Sequence, residues 1–429
     1  MRFDQIALLN PSITIKKGAL IPFLDMAALP VHGRDVRIVN EKPFTGSGAR
    51  FQKGDTLIAR ITPCLENGKG AQIRHLPEEA AGFGSTEFIV ARGKDDRDTD
   101  FIYYLTRHDD FRAEAIKRME GTSGRQRVAW QQIASIEVPD ISSEDRREIA
   151  ATLGALDDKI ELNRETAATL EEMARALYRS WFVAFDPVWA KAEGRTPAHM
   201  DNATVALFPN SFGDDGLPVG WQNKTIGNFF TFQRGLSYKG KHLTAHGMPM
   251  INLGCFSGNG GFTCDKVKNY SGDYKLRHLV CSGDLVFANT DMTQNRVILG
   301  SPHIVEGGNF LYTHHVSAAR PIGEESKKWN RFFYFHFLQP EFRERAEGFA
   351  TGTTVLFLPA DAAEAQKVVI PPEAILNVFT RSTQSLLQRK SSLEQESQIL
   401  ATLRNTLLPK LMSGELRVGE AQELISRVA

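Results

Sequence analysis

Four cysteines are few for 429 residues, and Cys64, Cys255, Cys264 and Cys281 form no CxxC pair. They offer no disulfide framework and fit a reducing, cytoplasmic compartment. No apolar run reaches the roughly 18 residues that a membrane-spanning helix needs. The opening Met1-Arg2-Phe3-Asp4 lacks the basic-then-apolar pattern of a secretory signal. Net charge is also missing: 51 Lys and Arg balance 51 Asp and Glu, which argues against a uniformly basic coat for nucleic acid. The balance is uneven along the chain. Residues 141–216 carry 8 basic and 14 acidic side chains, whereas residues 217–372 carry 16 and 12. If DNA is bound, the globular regions touch it, and the acidic stretch faces protein or solvent. At this length, with ordinary globular composition, two to four domains are expected.

Catalytic signatures are absent as well. The chain has no GxSxG elbow, no HExxH, no dinucleotide glycine fingerprint and no Asn-Pro-Pro-Tyr type loop. Three look-alikes weaken on inspection. Gly235-Leu236-Ser237-Tyr238-Lys239-Gly240-Lys241-His242 nearly spells a P-loop, but His242 replaces the magnesium-binding hydroxyl and no clear strand precedes it. Asp140 with Asp157-Asp158-Lys159 imitates a nuclease spacing, yet that chemistry needs the second acid and lysine on a strand. Here they fall in a heptad pattern, which reads as a solvated helix face. His242, His246, Cys255 and Cys264 match no standard zinc spacing, and His314-His315 reads as structural or surface. No catalytic residue and no metal site is therefore expected.

What the chain does have is two heptad seams. Ile149, Leu153, Leu156, Ile160, Asn163, Ala167, Leu170, Ala174, Leu177 and Trp181 advance by alternating steps of four and three. That period of 3.5 marks a coiled-coil helix over roughly Ser143–Trp181, with Asn163 as a polar seam residue able to fix register. Ser142 or Ser143 is placed to cap it. A narrow apolar stripe needs a partner. Phe379, Leu386, Leu393, Leu400 and Leu407 supply it, with Ile375 and Leu403 at the alternating position. Ile149, Leu156, Leu170 and Leu177 fall 230 residues before Phe379, Leu386, Leu400 and Leu407.

The globular regions repeat at a similar offset. Gly54-Asp55-Thr56-Leu57-Ile58-Ala59-Arg60 matches Gly283-Asp284-Leu285-Val286-Phe287-Ala288-Asn289, and Pro22-Phe23-Leu24-Asp25-Met26 matches Pro249-Met250-Ile251-Asn252-Leu253. Gly121-Thr122 matches Gly352-Thr353, and Val138-Pro139 matches Ile370-Pro371. The first region reads as strands at Ala19–Leu24, Thr56–Ile61 and Glu87–Ala91, a helix over Asp100–Met119, and a closing strand over Ile133–Val138. The chain is thus expected to be α+β: a first domain over 1–140, a helix over 141–185, a linker over 186–216, a second domain over 217–372, and a second helix with a tail over 373–429.

The candidates for binding are the loops repeated in both halves. After the Gly-Asp strand, the first half presents Arg60, Thr62, Asn67 and Lys69, and the second Asn289, Thr290, Asn295 and Arg296. Arginine grips guanine and asparagine adenine by paired hydrogen bonds, and threonine meets the thymine methyl. The Gly-Thr loops add Thr122, Ser123, Arg125, Gln126 and Arg127 in one half and Thr351, Thr353 and Thr354 in the other, residue types suited to phosphate oxygens. Arg234, Tyr238 and Lys239 form a further candidate turn. The bland alternative is that all of these are ordinary polar turns.

Two features carry a resemblance. The first helix holds Leu156-Asp157-Asp158-Lys159-Ile160-Glu161-Leu162-Asn163 and runs to Tyr178-Arg179-Ser180-Trp181-Phe182. The last ends Leu407-Leu408-Pro409-Lys410-Leu411-Met412-Ser413-Gly414-Glu415-Leu416. With two diverged globular domains alternating with two helices, the chain resembles the specificity subunit of type I restriction–modification systems. It departs from that pattern at the opening of the first domain, which lacks the tryptophan-led start seen at Leu217-Pro218-Val219-Gly220-Trp221. The resemblance implies a subunit without chemistry of its own, in which each globular domain reads half of a split target in double-stranded DNA. It implies antiparallel helices acting as a spacer, about 50 Å for about 35 residues. It also implies docking of two methyltransferase subunits bringing S-adenosylmethionine, and through them restriction and translocase subunits with ATP and Mg. The rival readings are a coiled-coil scaffold without DNA specificity and a fused methyltransferase or nuclease.

Overall fold

Thr56–Ala59 is buried at every position, and the turn before it explains the repeated Gly-Asp pair. Gly54 sits at φ +89°, a conformation that favours glycine. Asp55 accepts the Gln52 amide at 2.8 Å, and Arg92 grips the same carboxylate from the neighbouring strand at 2.7 and 2.9 Å. The second copy repeats this with Gly283 at φ +89°, Asp284 accepting the Cys281 amide at 3.0 Å, and Arg320 at 3.8 Å. The Gly-Asp signature therefore specifies a strand entry.

The structure is a computed structural model that describes residues 1–36, 40–122, 124–292, 297–352 and 355–428. It divides into one unit of Met1–Ala168 with Lys390–Ala429 and another of Thr169–Arg389. In the first unit, an antiparallel sheet takes the order Ala7–Leu9, Phe88–Gly93, Thr56–Ala59, Gly70–Gln72. A second sheet takes the order Asn40–Pro43, Leu20–Leu24, Ala81–Gly84, Ala49–Gln52, with one parallel pair at Phe23 and Phe83. In the second unit the corresponding order is Phe230–Arg234, Val316–Pro321, Leu285–Ala288, Pro302–Ile304. Its five-stranded sheet again has one parallel pair, between Met248–Ile251 and Phe310–Tyr312. Three helices follow in each unit: Thr99–Arg107, Asp109–Lys117 and Trp130–Ala134, then Asn330–Phe337, Pro340–Phe349 and Ala360–Glu364. The fold is mixed helix and sheet, built as an internal repeat.

The long helices run Ser143–Phe182 and Glu373–Ser413. Ser142 caps the first by accepting the Asp145 amide at 3.1 Å. Within the first unit, Ile149, Leu153, Leu156 and Ile160 share a core with Leu400, Leu407, Leu408 and Leu411. Asp157 meets Arg404 and Lys159 meets Glu396, so positions rise on one helix as they fall on the other, and the pair is antiparallel. Within the second unit, Tyr178, Trp181 and Phe182 close around Phe379, the Phe182 and Phe379 rings lying 4.9 Å apart edge to face. Among the described residues, no helix is long and apolar enough to cross a membrane.

Several expectations change. The alternating seam line of the second helix is polar: Thr383, Ser397 and Arg404 are buried, while Leu403 is only half-buried. Thr383 and Ser397 satisfy their hydroxyls on the carbonyls four residues back, at 2.8 Å each, so burial leaves neither donor orphaned. Asp157 is no part of a solvated face. It is 4% exposed and held by Arg404 and by the Tyr104 hydroxyl at 2.7 Å. The expected helix over Asp100–Met119 breaks at His108, whose backbone is extended and whose ring accepts the Asp110 amide at 3.3 Å. Ile133 and Ala134 are helical, and strand-like pairing is confined to a bridge between Arg2 and Glu137. The stretch 186–216 holds helices Asp186–Ala192 and Asn202–Leu207, and Val188 and Phe208 are buried in the core of the second unit. The tail forms a helix over Val418–Val428 that buries Ala421.

Candidate nucleic-acid interface

In the first unit, hydrogen bonds join the two loops that the sequence singles out. The Thr62 amide donates to the Gln126 carbonyl at 3.0 Å, and the Gln126 amide returns to the Thr62 hydroxyl at 3.1 Å. Val128 donates to the Arg60 carbonyl at 3.0 Å, and Ile61 bridges Arg127. A third segment joins them: the Arg60 amide donates to the Glu87 carbonyl at 3.0 Å, just before the strand Phe88–Gly93. Arg60, Thr62, Thr122, Arg125 and Arg127 therefore belong to one loop cluster.

Their side chains differ in what they can offer. Thr122 and Arg125 are exposed. Arg127 is also exposed, but Glu87 holds its Nε and Nη2 at 2.8–3.0 Å and raises its pKa. Arg60 is half-buried, and its Nε has no acceptor among the described residues. A buried donor of this kind gains from an incoming acceptor. Asn67 is exposed in the turn behind, and Lys69 is drawn away to the Met26 carbonyl at 2.9 Å. Ser123 lies outside the described residues.

The second unit assembles the same three segments. Thr290-Asp291 pairs antiparallel with Leu356-Phe357, and Leu358 donates to the Asn289 carbonyl at 2.8 Å. The Asn289 amide donates to the His315 carbonyl at 3.1 Å, as Arg60 does to Glu87 in the first unit. Two candidates are corrected here. Asn289 is 0% exposed, donates to Ser317 Oγ at 2.8 Å and accepts from Thr290 Oγ1 at 2.7 Å. Its amide and the Thr290 hydroxyl are committed inside the fold and are not presented to a base. Thr351 is exposed and pairs through its backbone with Phe357. Asn295, Arg296, Thr353 and Thr354 lie outside the described residues.

Arg234 emerges from its strand exposed, with Nε donating to the His314 carbonyl at 3.2 Å and its guanidinium 4.5 Å from the Phe357 ring centroid. Tyr238 accepts from Lys268 Nζ at 3.0 Å, and Lys239 is exposed beside it. His314 and His315 pack their rings 3.9 Å apart. Burial, then the charge of Arg234 on His314 and chiefly the neighbouring His314 ring on His315, holds both pKa values below the usual histidine range. Both are accordingly neutral at pH 7.

Glu87, His314, His315 and Phe357 were not legible as site residues from local sequence. Extending the repeat register would have found the histidines, which occupy the place of Thr86-Glu87 in the first copy. The look-alike sites have structural explanations. A Cβ on Gly235 would meet the Tyr312 carbonyl oxygen at 2.1 Å, so glycine there serves a close backbone approach. Asp157 and Lys159 are engaged by Arg404 and Glu396. Among the described residues, no three His, Cys, Asp or Glu side chains converge as a metal site would require.

No family model matches the chain. The MjaIX type I restriction enzyme specificity subunit of Methanocaldococcus jannaschii is 24% identical over 427 residues, covering 96% of this chain and 90% of that protein. The HindI type I specificity subunit of Haemophilus influenzae is 23% identical over 429 residues, covering 88% and 90%. Over most of its length the chain is therefore similar to curated type I restriction enzyme specificity subunits. A crystal structure of the type I restriction–modification S subunit from M. genitalium shares the fold, at a TM-score of 0.56 and 16% identity, over 96% of this chain and 95% of that one. The likeness to the MjaIX subunit covers 96% of the chain, so it does not rest on a single shared element.

Proposed function

We propose that this chain supplies DNA sequence specificity to a type I restriction–modification assembly. The observation that carries the reading is the duplicated unit: each copy brings the same three segments together at one loop cluster, with different side chains in each. Backbone pairing fixes the clusters, and side chains vary upon them, as a reader of two unlike half-targets requires. The near full-length likeness to curated specificity subunits supports the same reading.

In this reading the chain does no chemistry. Arg60, Thr62, Asn67, Thr122, Ser123, Arg125 and Arg127 serve one half-target. Arg234, Tyr238, Lys239, Arg296, Thr351 and Thr353 serve the other. The antiparallel helices set the spacing between halves and dock two methyltransferase subunits. S-adenosylmethionine, ATP and Mg act on the partner subunits, restriction and translocase subunits join through the methyltransferase core, and the assembly works in the cytoplasm. Methylome sequencing of the host with and without the gene tests this. The expected outcome is loss of one bipartite methylated motif. An unchanged methylome in a host whose partner genes are expressed would sink it.

A further inference from the structure

We propose that Arg234 reads a guanine in the half-target served by the second unit. The inference rests on the specificity reading above and deepens it to one residue and one base. Three restraints fix this guanidinium. Strand pairing places Arg234 opposite Ser317. Its Nε is bonded to the His314 carbonyl at 3.2 Å. Its guanidinium carbon lies over the Phe357 ring, 4.5 Å from the centroid, in a cation–π contact. Among the described residues its one side-chain hydrogen bond uses Nε, both Nη groups have no acceptor, and no ion pair engages it. Asp291, on the strand that pairs with Phe357, is buried and accepts the Ile298 amide at 2.8 Å.

A guanidinium held in this way is a pre-oriented fork. Guanine presents two acceptors, O6 and N7, on one edge, and such a fork meets both at once. A phosphate contact needs only charge, which exposed Lys239, five residues further along the chain, also carries. The first unit shows the contrast. Arg127 occupies its loop cluster with Nε and Nη2 already committed to Glu87, so its fork is closed. His314 and Phe357 act as positioning residues for Arg234, the first through its backbone and the second through its ring.

The test uses the chain assembled with its methyltransferase partners and a randomised duplex library, with methylation read by sequencing. Arg234→Lys keeps the charge and loses the fork. It should lower the preference for guanine at one position of one half-target by about 5- to 150-fold, leaving the other half and the salt dependence unchanged. Phe357→Leu should weaken the same preference, and Phe357→Tyr should restore it. If Arg234→Lys methylates with wild-type preference while Arg234→Ala weakens methylation of all sequences alike, Arg234 contacts phosphate and the proposal is overturned. If Arg234→Ala fails to fold, the lysine variant still decides. A wild-type assembly without any bipartite preference would instead bring down the specificity reading, and this proposal with it.

Discussion

Asp157 places the sharpest demand on a single side chain. It is buried, paired with buried Arg404 and bonded to Tyr104. Removing one member of such a pair strands the other charge in a poorly solvated site, at a cost of about 3–5 kcal/mol. Asp157→Ala should therefore lower the melting temperature strongly. Lys159→Ala, whose partner Glu396 is 3.4 Å away at a half-exposed position, should change stability by about 1 kcal/mol or less. Equal effects in thermal denaturation would contradict this account. His336 makes a second residue-level prediction. Burial depresses its pKa to about 3, and its Nδ1 lies 3.1 Å from the Tyr178 hydroxyl. The unfolded chain protonates this group near pH 6.5, whereas the folded chain resists until about pH 3. Between those values the unfolded state binds the extra proton, so stability falls as pH drops, by up to about 1.4 kcal/mol per unit. His336→Gln should flatten that slope. Histidines 278, 314 and 315 are depressed in the same sense, so the comparison is between wild type and variant melts across the same pH series.

At the scale of elements, the apolar period was legible because one helix face must be buried along its length. Ile149, Leu156, Leu400 and Leu407 are all buried where the heptad pattern places them. The pattern misled where a polar residue could satisfy itself locally. Leucine at 403 drew the seam one position away from Arg404, because composition does not reveal that Asp157 waits opposite. Leu400→Ala should cost about 2–5 kcal/mol. Leu403→Ala, at a half-buried position, should cost less. Denaturant melts of the two variants that rank the other way would restore the simpler apolar seam. The short helices at Asp186–Ala192 and Asn202–Leu207 escaped notice for a related reason. Proline at Pro187 marks a break in sequence terms, yet as the second residue of a helix it is well tolerated, and Val188 then reaches the core.

For the whole molecule, the internal repeat was the strongest signal, because collinear matches constrain many residues at once. Repeat position identified which loops correspond, but not which side chains reach a ligand. Asn289 and Arg60 occupy equivalent places, and one is committed to Ser317 and Thr290 while the other has an Nε without an acceptor among the described residues. That difference depends on burial, which local spacing does not encode. It also means the two loop clusters offer different chemistry on the same backbone plan, so each should act on its own half-target. Arg125 is exposed in the first cluster, and Arg125→Ala should alter one position in one half only, by about 1–3 kcal/mol if it meets a base. If Arg125 meets phosphate, the same change should weaken every sequence alike and reduce the salt dependence. Replacing residues 217–372 with the matching segment of a relative should change the other half of the target and leave the first half intact. The readout is methylation of a randomised library by the assembled methyltransferase. A graft that leaves the target unchanged, or an Arg125 change that shifts preference in both halves together, would show that the two units do not read independently.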